Sequence, residues 1–126
     1  MKQIIVTENA PAPVGPYSQA VIANGVLYLS GQIAINPTTK ELVMDDIKSE
    51  TRQIMTNITA VLHEAKASFE NVVKVSIFMT DMAFYNEINE VYAEYFDNET
   101  APAREAVAVA SLPKGVNVEI SVTAVL

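Results

Sequence analysis

A chain of 126 residues suits a single domain, and the absence of cysteine excludes disulfides, thiolate nucleophiles and cysteine-ligated zinc. The formal net charge is −7, and the eight Lys and Arg residues are scattered singly, which counts against the basic patch that nucleic-acid-binding proteins use to neutralise phosphates. The first residues show no secretory signal, and no apolar run approaches the ~20 residues of a membrane span, so we expect a soluble, cytoplasmic protein.

The first third of the chain contains a loop followed by a predicted hairpin. Residues 9–16 hold three prolines and a glycine, so this segment is extended and stays out of a central sheet. Residues 21–29 place Asn24-Gly25 between two runs of strand-forming residues. Because a type I′ turn needs positive φ at both turn positions, this dipeptide predicts a β-hairpin. The second strand of the hairpin ends at Ser30-Gly31-Gln32.

Two amphipathic helices flank a third strand. Apolar residues recur at helical spacing over residues 47–65, directly after Asp45-Asp46, whose carboxylates favour a helix N-terminus. A second stripe covers residues 84–96, and its aromatic members are assigned to the core: Tyr92, Tyr95 and Phe96. Residues 72–79, between the two stripes, are rich in β-branched side chains and predict a central strand.

In the C-terminal quarter, apolar and polar residues alternate. From Val116 onwards every second residue is apolar, which predicts a strand with one buried and one mostly polar face. A shorter alternating run, 106–110, precedes it, and we expect residues 112–115 to form the turn that joins the two runs into a hairpin. Together the elements predict one α+β domain over residues 1–126, with both helices on one face of a mixed sheet.

Two helices can cover only one face of such a sheet. We expect the other face to carry small and polar side chains: Ala106, Ala108, Ala110, Glu119, Ser121 and Thr123. This face is either solvated or covered by another subunit. The pattern favours a homo-oligomer, since such assemblies are common among small enzymes.

Arg104 and Glu119 are the strongest candidates for chemistry. The guanidinium of Arg104 can match a carboxylate bidentately, although a surface ion pair with Glu105 explains an arginine there more simply. Glu119, on the polar face of the last strand, can move protons for a reacting water or can simply be solvated. The predicted C-terminal turn brings the two to the same face of one hairpin, which would set an anion anchor beside a proton-transfer group.

Other polar residues are less specific. Tyr17, Ser18 and Ser30-Gly31 lie at loop ends, where such residues either orient ligands or form turns. Asn89 lies on the second helix and faces either the sheet or solvent. His63, the one histidine, falls off the apolar stripe and is assigned to the solvated face of the first helix. A Ser-His-Asp triad, a histidine-rich metal site and a phosphate loop therefore find no support.

An ordered set of short motifs resembles the RidA (YjgF) family over essentially the whole chain. The motifs are Gly15-Pro16-Tyr17-Ser18-Gln19-Ala20, Ser30-Gly31-Gln32, Asn89-Glu90-Val91-Tyr92, Pro102-Ala103-Arg104, Leu112-Pro113-Lys114-Gly115 and Val118-Glu119-Ile120. The resemblance implies a chorismate-mutase-like α+β fold and a homotrimer with clefts between adjacent subunits. It also implies hydrolysis of 2-iminobutanoate and 2-iminopropanoate to 2-keto acids and ammonia, without a metal or cofactor.

The resemblance further implies roles for individual residues. Arg104 corresponds to the carboxylate-binding arginine of the family. Glu119 corresponds to the glutamate that positions a water molecule and moves its proton towards the substrate nitrogen. The remaining correspondences line the cleft or supply main-chain groups to the substrate: Tyr17, Ser30, Gly31, Asn89 and Ala106.

Three positions depart from the family pattern. Glu105 replaces an uncharged residue, and strand alternation should point it away from Arg104. Ala106 replaces a frequent cysteine at a place where the implied chemistry needs only main chain. Lys66 replaces a glycine, which would cost about 1 kcal/mol of stability if this residue adopts the left-handed conformation.

Three other functions stay open at this level. Relatives that lack the arginine lack deaminase activity and serve as ligand-binding or regulatory modules, and Arg104 counts against that reading. Endoribonuclease activity or inhibition of translation is described for some relatives. The net negative charge and the lack of a histidine general base count against such a function here. A chaperone-like holdase is compatible with the sequence.

Overall fold

A computed structural model describes all of residues 1–126. The chain contains six strands and two α-helices, with short 3-10 turns in three of the connections. The strands are β1 (Gln3–Ile5), β2 (Ala20–Ala23), β3 (Val26–Leu29), β4 (Val72–Met79), β5 (Ala103–Ala108) and β6 (Val118–Val125), and the helices are α1 (Ile47–Glu64) and α2 (Tyr85–Tyr92). None of the helices combines the length and apolar character that crossing a membrane requires.

The strands form one mixed sheet in the order β1-β2-β3-β6-β4-β5. The predicted hairpin is confirmed as β2–β3, with φ of 51° at Asn24 and 75° at Gly25, as a type I′ turn requires. Strand β6 pairs antiparallel with both β3 and β4, and β4 pairs parallel with β5 through the crossover helix α2. The predicted single α+β domain with a mixed sheet is confirmed.

Both helices pack on the same face of the sheet, as the sequence predicts. Helix α1 begins at the N-cap Asp46, whose Oδ1 accepts a hydrogen bond from the Ser49 amide at 2.7 Å, and this bond lowers the pKa of the Asp46 carboxyl. The apolar stripe of α1 and the inward residues of the central strands form a single core with the apolar residues of α2.

The second helix is shorter than predicted. A 3-10 turn, Met82–Phe84, precedes α2, and the helix ends at Tyr92 instead of continuing through residue 96. Tyr95 and Phe96 nevertheless reach the partly buried layer, where their rings lie 5.3 and 5.2 Å from the ring of Phe69. The periodicity therefore identified the buried side chains correctly and overestimated the length of the helix.

The predicted C-terminal hairpin is wrong. Strand β4 lies between β5 and β6, parallel to the first and antiparallel to the second. The intervening segment passes the end of β4, where Val109 N donates to the carbonyl of Met79 and Thr80 N donates to the carbonyl of Asn117. Placed between β3 and β4, β6 finds backbone hydrogen-bond partners on both edges. Alternation predicts a strand but does not specify its neighbours.

The face of the sheet away from the helices is open, as predicted, and carries Glu119, Ser121 and Thr123. Ala106 and Ala108 lie on the opposite face, because the register aligns them with the buried residues Ile77 and Met79 of β4. Ala110 lies beyond the end of β5. The predicted membership of these three alanines in the open face is therefore wrong.

The reversal in β5 has a steric cause. Arg104 and the tyrosines of α2 occupy most of the space on the helix side of this edge strand. Only small side chains fit at the remaining positions on that side. Glu105 and Val107 consequently point to the open face, aligned with Ser76 and Phe78 of β4.

Helix α1 ends in a Schellman motif built on a lysine. The amides of Ala67 and Lys66 donate to the carbonyls of Leu62 and His63, and Lys66 has a φ of 59°. This confirms the left-handed conformation that the sequence left conditional. The backbone of Lys66 is strained in a position that suits glycine.

We predict that Lys66→Gly raises the free energy of unfolding by about 1 kcal/mol, because glycine adopts positive φ without the Cβ penalty. Lys66→Ala removes the same charge and keeps the Cβ, so it should show no gain. Chemical denaturation of the three proteins measures the difference. Equal stability of the glycine and alanine variants would contradict the prediction.

Candidate active site

Four of the predicted site residues meet on one side of the molecule. They line a cavity of about 410 Å³: Tyr17, Ser30, Gly31 and Glu119. Glu119 projects from β6, Ser30 and Gly31 follow the end of β3, and Tyr17 belongs to the loop before β2. The antiparallel pairing of β3 with β6 brings these segments together. We name this group the glutamate half-site.

The Glu119 carboxyl is half-buried in this cavity. Burial raises its pKa, and no cation or hydrogen-bond donor of the chain acts in the opposite direction. The carboxylate lies directly against Gly31, since a Cβ built on that residue would be 2.5 Å from Glu119 Oε2. A glycine is therefore needed at position 31 to leave space for the carboxylate. No hydrogen bond within the chain occupies its two oxygens, so both are available to a ligand or water.

Buried hydrogen bonds hold the loop that carries Tyr17. The Gln19 side chain accepts from the Thr7 amide at 2.7 Å and donates to the carbonyls of Thr7, Ala10 and Pro11. The Ser30 hydroxyl donates to the Ser18 carbonyl at 2.6 Å. These bonds tie residues 7–19 to the end of β3. Ser30 thus holds the loop and also lines the cavity.

The Tyr17 hydroxyl accepts a hydrogen bond from the Val14 amide at 3.2 Å. This contact orients the ring without using the hydroxyl proton. Half of the Tyr17 surface is exposed. The phenol can therefore donate its proton to a ligand in the cavity.

The other two side chains with predicted roles meet elsewhere, beneath α2. Arg104 Nη1 donates to Asn89 Oδ1 at 2.8 Å, and Nη2 donates to the Tyr85 hydroxyl at 3.0 Å. The guanidinium also lies over the ring of Tyr92, 4.8 Å from its centroid. Asn89 thus faces the sheet, an orientation that the sequence left open. We name this group the arginine half-site.

No acidic residue neutralises Arg104. The ion pairs of the chain join Lys48 to Glu90, Arg52 to Glu94 and Lys74 to Glu105. Arg104 instead has neutral partners, which occupy two of its five N–H donors. Three donors and the full positive charge are left for an anion, at the edge of a cavity of about 300 Å³.

Glu105 does not compete for this guanidinium. It points to the open face, where it pairs with Lys74 at 2.6 Å and accepts a hydrogen bond from the Ser76 hydroxyl. These two partners lower the pKa of the Glu105 carboxyl. The expectation that strand alternation separates Glu105 from Arg104 is confirmed, and an ion pair between the two is excluded.

The two half-sites do not meet within one chain. Arg104 is on the helix face and Glu119 on the open face, with β4 between them. Two strand spacings and the three-residue offset in register separate their Cα atoms by roughly 14 Å. The expectation that one hairpin brings them to the same face is wrong. Ala106 belongs with Arg104, on the same face of the edge strand.

Sequence reasoning missed two members of the arginine half-site. Tyr85 was not singled out and Tyr92 was assigned to the core, yet both contact the guanidinium. Their pKa values diverge. The hydrogen bond with Asn89 and the charge of Arg104 lower the pKa of Tyr85, whereas burial raises that of Tyr92. The signal was the spacing of Tyr85, Asn89 and Tyr92, which puts all three on one helical face.

His63 is exposed on α1, as the sequence predicts. It lines neither half-site. The ionisable side chains that line or adjoin the two half-sites are the Glu119 carboxyl, the Arg104 guanidinium, Lys114 and the tyrosines beside them.

Comparison with known proteins identifies the family of the chain. The family model described as Endoribonuclease L-PSP matches residues 7–126. A RutC family protein from Pyrococcus horikoshii is 52% identical over 124 residues, which cover 98% of each chain. A conserved Rid family protein from Yersinia pestis has a TM-score of 0.97 at 48% identity, with 100% of both chains covered. TdcF from E. coli with bound serine has a TM-score of 0.92 at 38% identity, with 98% of both chains covered. The chain therefore belongs to the RidA (YjgF) family, as its motifs predict, and has the fold of that family.

Proposed function

We propose that this protein hydrolyses small 2-imino acids, with 2-iminobutanoate and 2-iminopropanoate as substrates, to 2-keto acids and ammonia. The observation that carries the proposal is the state of Arg104. Its guanidinium is fixed by neutral partners, keeps three donors free and has no carboxylate of its own. An arginine held in this way is suited to bind the carboxylate of a small substrate.

The complete site requires two copies of the chain. Arg104 belongs to the edge strand β5, and Glu119 lies on the open face of the sheet. A neighbouring copy that sets its β5 edge against this open face brings its arginine half-site to the glutamate half-site. Three such contacts close a homotrimer with three clefts. The exposed apolar side chains of the open face support this packing: Ile4, Tyr28 and Val107.

Substrate binding follows from the arginine half-site. Two free donors of Arg104 bind the substrate carboxylate, while Asn89 and Tyr85 prevent the guanidinium from turning away. The substrate is thereby held beside Glu119 of the neighbouring copy. Fixing the imine carbon next to its attacking water removes much of the entropic cost of a bimolecular reaction. The free row of backbone groups on the β5 edge, near Ala106, can bind the remaining polar atoms.

Hydrolysis then uses the Glu119 carboxylate. The carboxylate orients a water molecule and accepts its proton while the water oxygen bonds to the imine carbon. Glu119 passes this proton to the nitrogen, which leaves a carbinolamine. Glu119 then accepts the hydroxyl proton of the carbinolamine and passes it to the nitrogen, so that the carbonyl forms, the C–N bond breaks and ammonia leaves. The raised pKa of Glu119 suits both transfers, because it brings the acid and base forms closer to neutral pH.

A relative with a bound ligand supports the substrate class. TdcF was solved with serine, a small amino acid that carries a carboxylate and a nitrogen on the same carbon. A 2-imino acid has the same two groups in the same relation. The chain covers 98% of that structure at 38% identity, so the comparison extends to the whole fold.

RNA cleavage is the second candidate, since the matching family model is described as an endoribonuclease. The chemistry of this chain favours it less. The net charge is −7, the single histidine is exposed on α1 away from both half-sites, and Arg52, the other arginine, is paired with Glu94. RNA cleavage that persists in a highly purified Arg104→Ala protein would favour this candidate over deamination.

We predict that Arg104→Ala lowers kcat/KM by about 30- to 5000-fold with the assembly intact, because the lost carboxylate binding is worth roughly 2–5 kcal/mol. The assay couples the protein to a threonine dehydratase and traps residual imine with semicarbazide. Arg52→Ala is the matched control, because it removes an arginine from an exposed ion pair and should leave the rate unchanged. Near-normal turnover by Arg104→Ala would contradict the proposal.

The pH dependence should report Glu119. Water activation needs the carboxylate, so kcat/KM should fall as the pH drops through the Glu119 pKa. Because burial raises this pKa, the acid limb should lie above the pH at which an ordinary glutamate titrates. Carbon-13 NMR titration of the Glu119 carboxyl in the free protein should give the same midpoint. A limb at the ordinary glutamate value would argue that another group controls the reaction.

Gly31→Ala should lower kcat about a hundredfold by displacing the Glu119 carboxylate from its position, since the new Cβ would lie 2.5 Å from Oε2. The melting temperature should change little, because the displaced atoms are the end of a flexible side chain. Gly15→Ala is the control, as its Cβ would meet the Tyr17 ring at an ordinary 3.5 Å. If the two alanine variants have equal rates, the packing of Glu119 against Gly31 is not required for catalysis.

A further inference from the structure

A fully buried carboxylate lies behind the glutamate half-site and has no part in the proposed reaction. Glu50, in the first turn of α1, has 0% exposed surface and no Lys or Arg partner. A buried carboxylate is costly unless hydrogen bonds satisfy its oxygens. Three bonds do so here. Oε2 accepts from the amides of Asn117 at 2.8 Å and Val118 at 2.9 Å, and Oε1 accepts from Asn117 Nδ2 at 3.0 Å.

All three donors belong to the two residues that immediately precede Glu119. Asn117 is also fixed on its other side, since its carbonyl accepts from the Thr80 amide at 3.0 Å. The start of β6 is therefore tied to α1 by a side chain and to the end of β4 by main chain. The position of Asn117 and Val118 determines where β6 enters the sheet. It therefore also determines where the Glu119 side chain lies on the open face.

The residue that follows Glu119 is fixed as well. Ile120 exchanges two backbone hydrogen bonds with Gln32, at 2.7 and 3.0 Å. Glu119 thus lies between Val118, held by Glu50, and Ile120, held by the residue next to Gly31. Its carboxylate has no hydrogen bond of its own to set its position, so the backbone on either side must do so. A shift of about 1 Å in such a group can cost a factor of a hundred in rate.

We propose that Glu50 is a positioning residue for Glu119, acting from α1 through its hydrogen bonds to Asn117 and Val118. The inference rests on the proposed deamination, in which Glu119 activates water. Glu50 touches neither substrate nor water. Its effect is on the location of the Glu119 carboxylate, and it should alter kcat without altering the binding of the substrate carboxylate by Arg104.

Three substitutions at position 50 separate the effect of hydrogen bonding from the effect of charge. Glu50→Gln loses the charge but can keep all three bonds. Its carbonyl oxygen accepts from the two amides, and the Asn117 amide turns over so that Oδ1 accepts from the new NH2 group. Glu50→Leu is similar in volume and leaves the three donors without an acceptor. Glu50→Asp keeps the charge, retracts it by one methylene, and serves if the leucine variant fails to fold.

We expect Glu50→Gln to keep kcat within about threefold of the unaltered protein, and Glu50→Leu or Glu50→Asp to lower it about 10- to 100-fold with KM nearly unchanged. Leu62→Ala is the control for stability. It truncates a core residue near the other end of α1 and should lower the melting temperature without lowering kcat. All proteins are assayed well below their melting temperatures.

A second measurement does not depend on activity. Carbon-13 NMR titration of the Glu119 carboxyl should show its pKa moving towards the ordinary glutamate value in Glu50→Leu and Glu50→Asp, and staying in place in Glu50→Gln and Leu62→Ala. An unchanged Glu119 titration in both the leucine and aspartate variants would overturn the positioning role. Failure of the proposed function would look different, because the unaltered protein itself would then show no imine hydrolysis.

Discussion

Antiparallel pairing of β6 with both β3 and β4 determines where the two halves of the candidate site lie. With β6 in the middle of the sheet, Glu119 emerges on the open face beside the end of β3. The same pairing moves β5 to the edge, where α2 covers one of its faces. Arg104 therefore lies beneath α2, two strands away from Glu119. The distribution of the site over two half-sites is a direct consequence of strand order.

Each half-site keeps its reactive group unsatisfied, by different means. At Arg104, neutral partners orient the guanidinium without neutralising it, while the other arginine and two lysines of the chain are paired with glutamates. At Glu119, partial burial with no donor raises the pKa of the carboxyl. Both arrangements cost stability in the isolated chain, because a charge held out of water without a counter-charge is unfavourable. In the cleft that we propose between subunits, a substrate carboxylate and a bound water would relieve those costs.

Much of the fold was predictable, because local patterns have local causes. Asn24-Gly25 produced its hairpin, Asp46 capped α1, and the apolar stripes identified the buried side chains, since each depends on backbone geometry within a few residues. The C-terminal hairpin was mispredicted because alternation does not encode which strands become neighbours. The predicted face of Ala106 and Ala108 was also wrong. Its cause is that the bulk of Arg104 and the α2 tyrosines determines which side of β5 carries small residues.

The sequence by itself determined the family and the element types and supplied Arg104 and Glu119 as candidate reactive groups, because these depend on residue types in a fixed order along the chain. Only the tertiary structure decided that Arg104 and Glu119 lie on opposite faces, that Tyr85 and Tyr92 support the guanidinium, and that Gly31 leaves space for a carboxylate. It also showed Glu50 bonded to residues far along the chain. These contacts join segments that are distant in the sequence. They cannot be predicted from the sequence because their geometry exists only once β6 has paired on both of its edges.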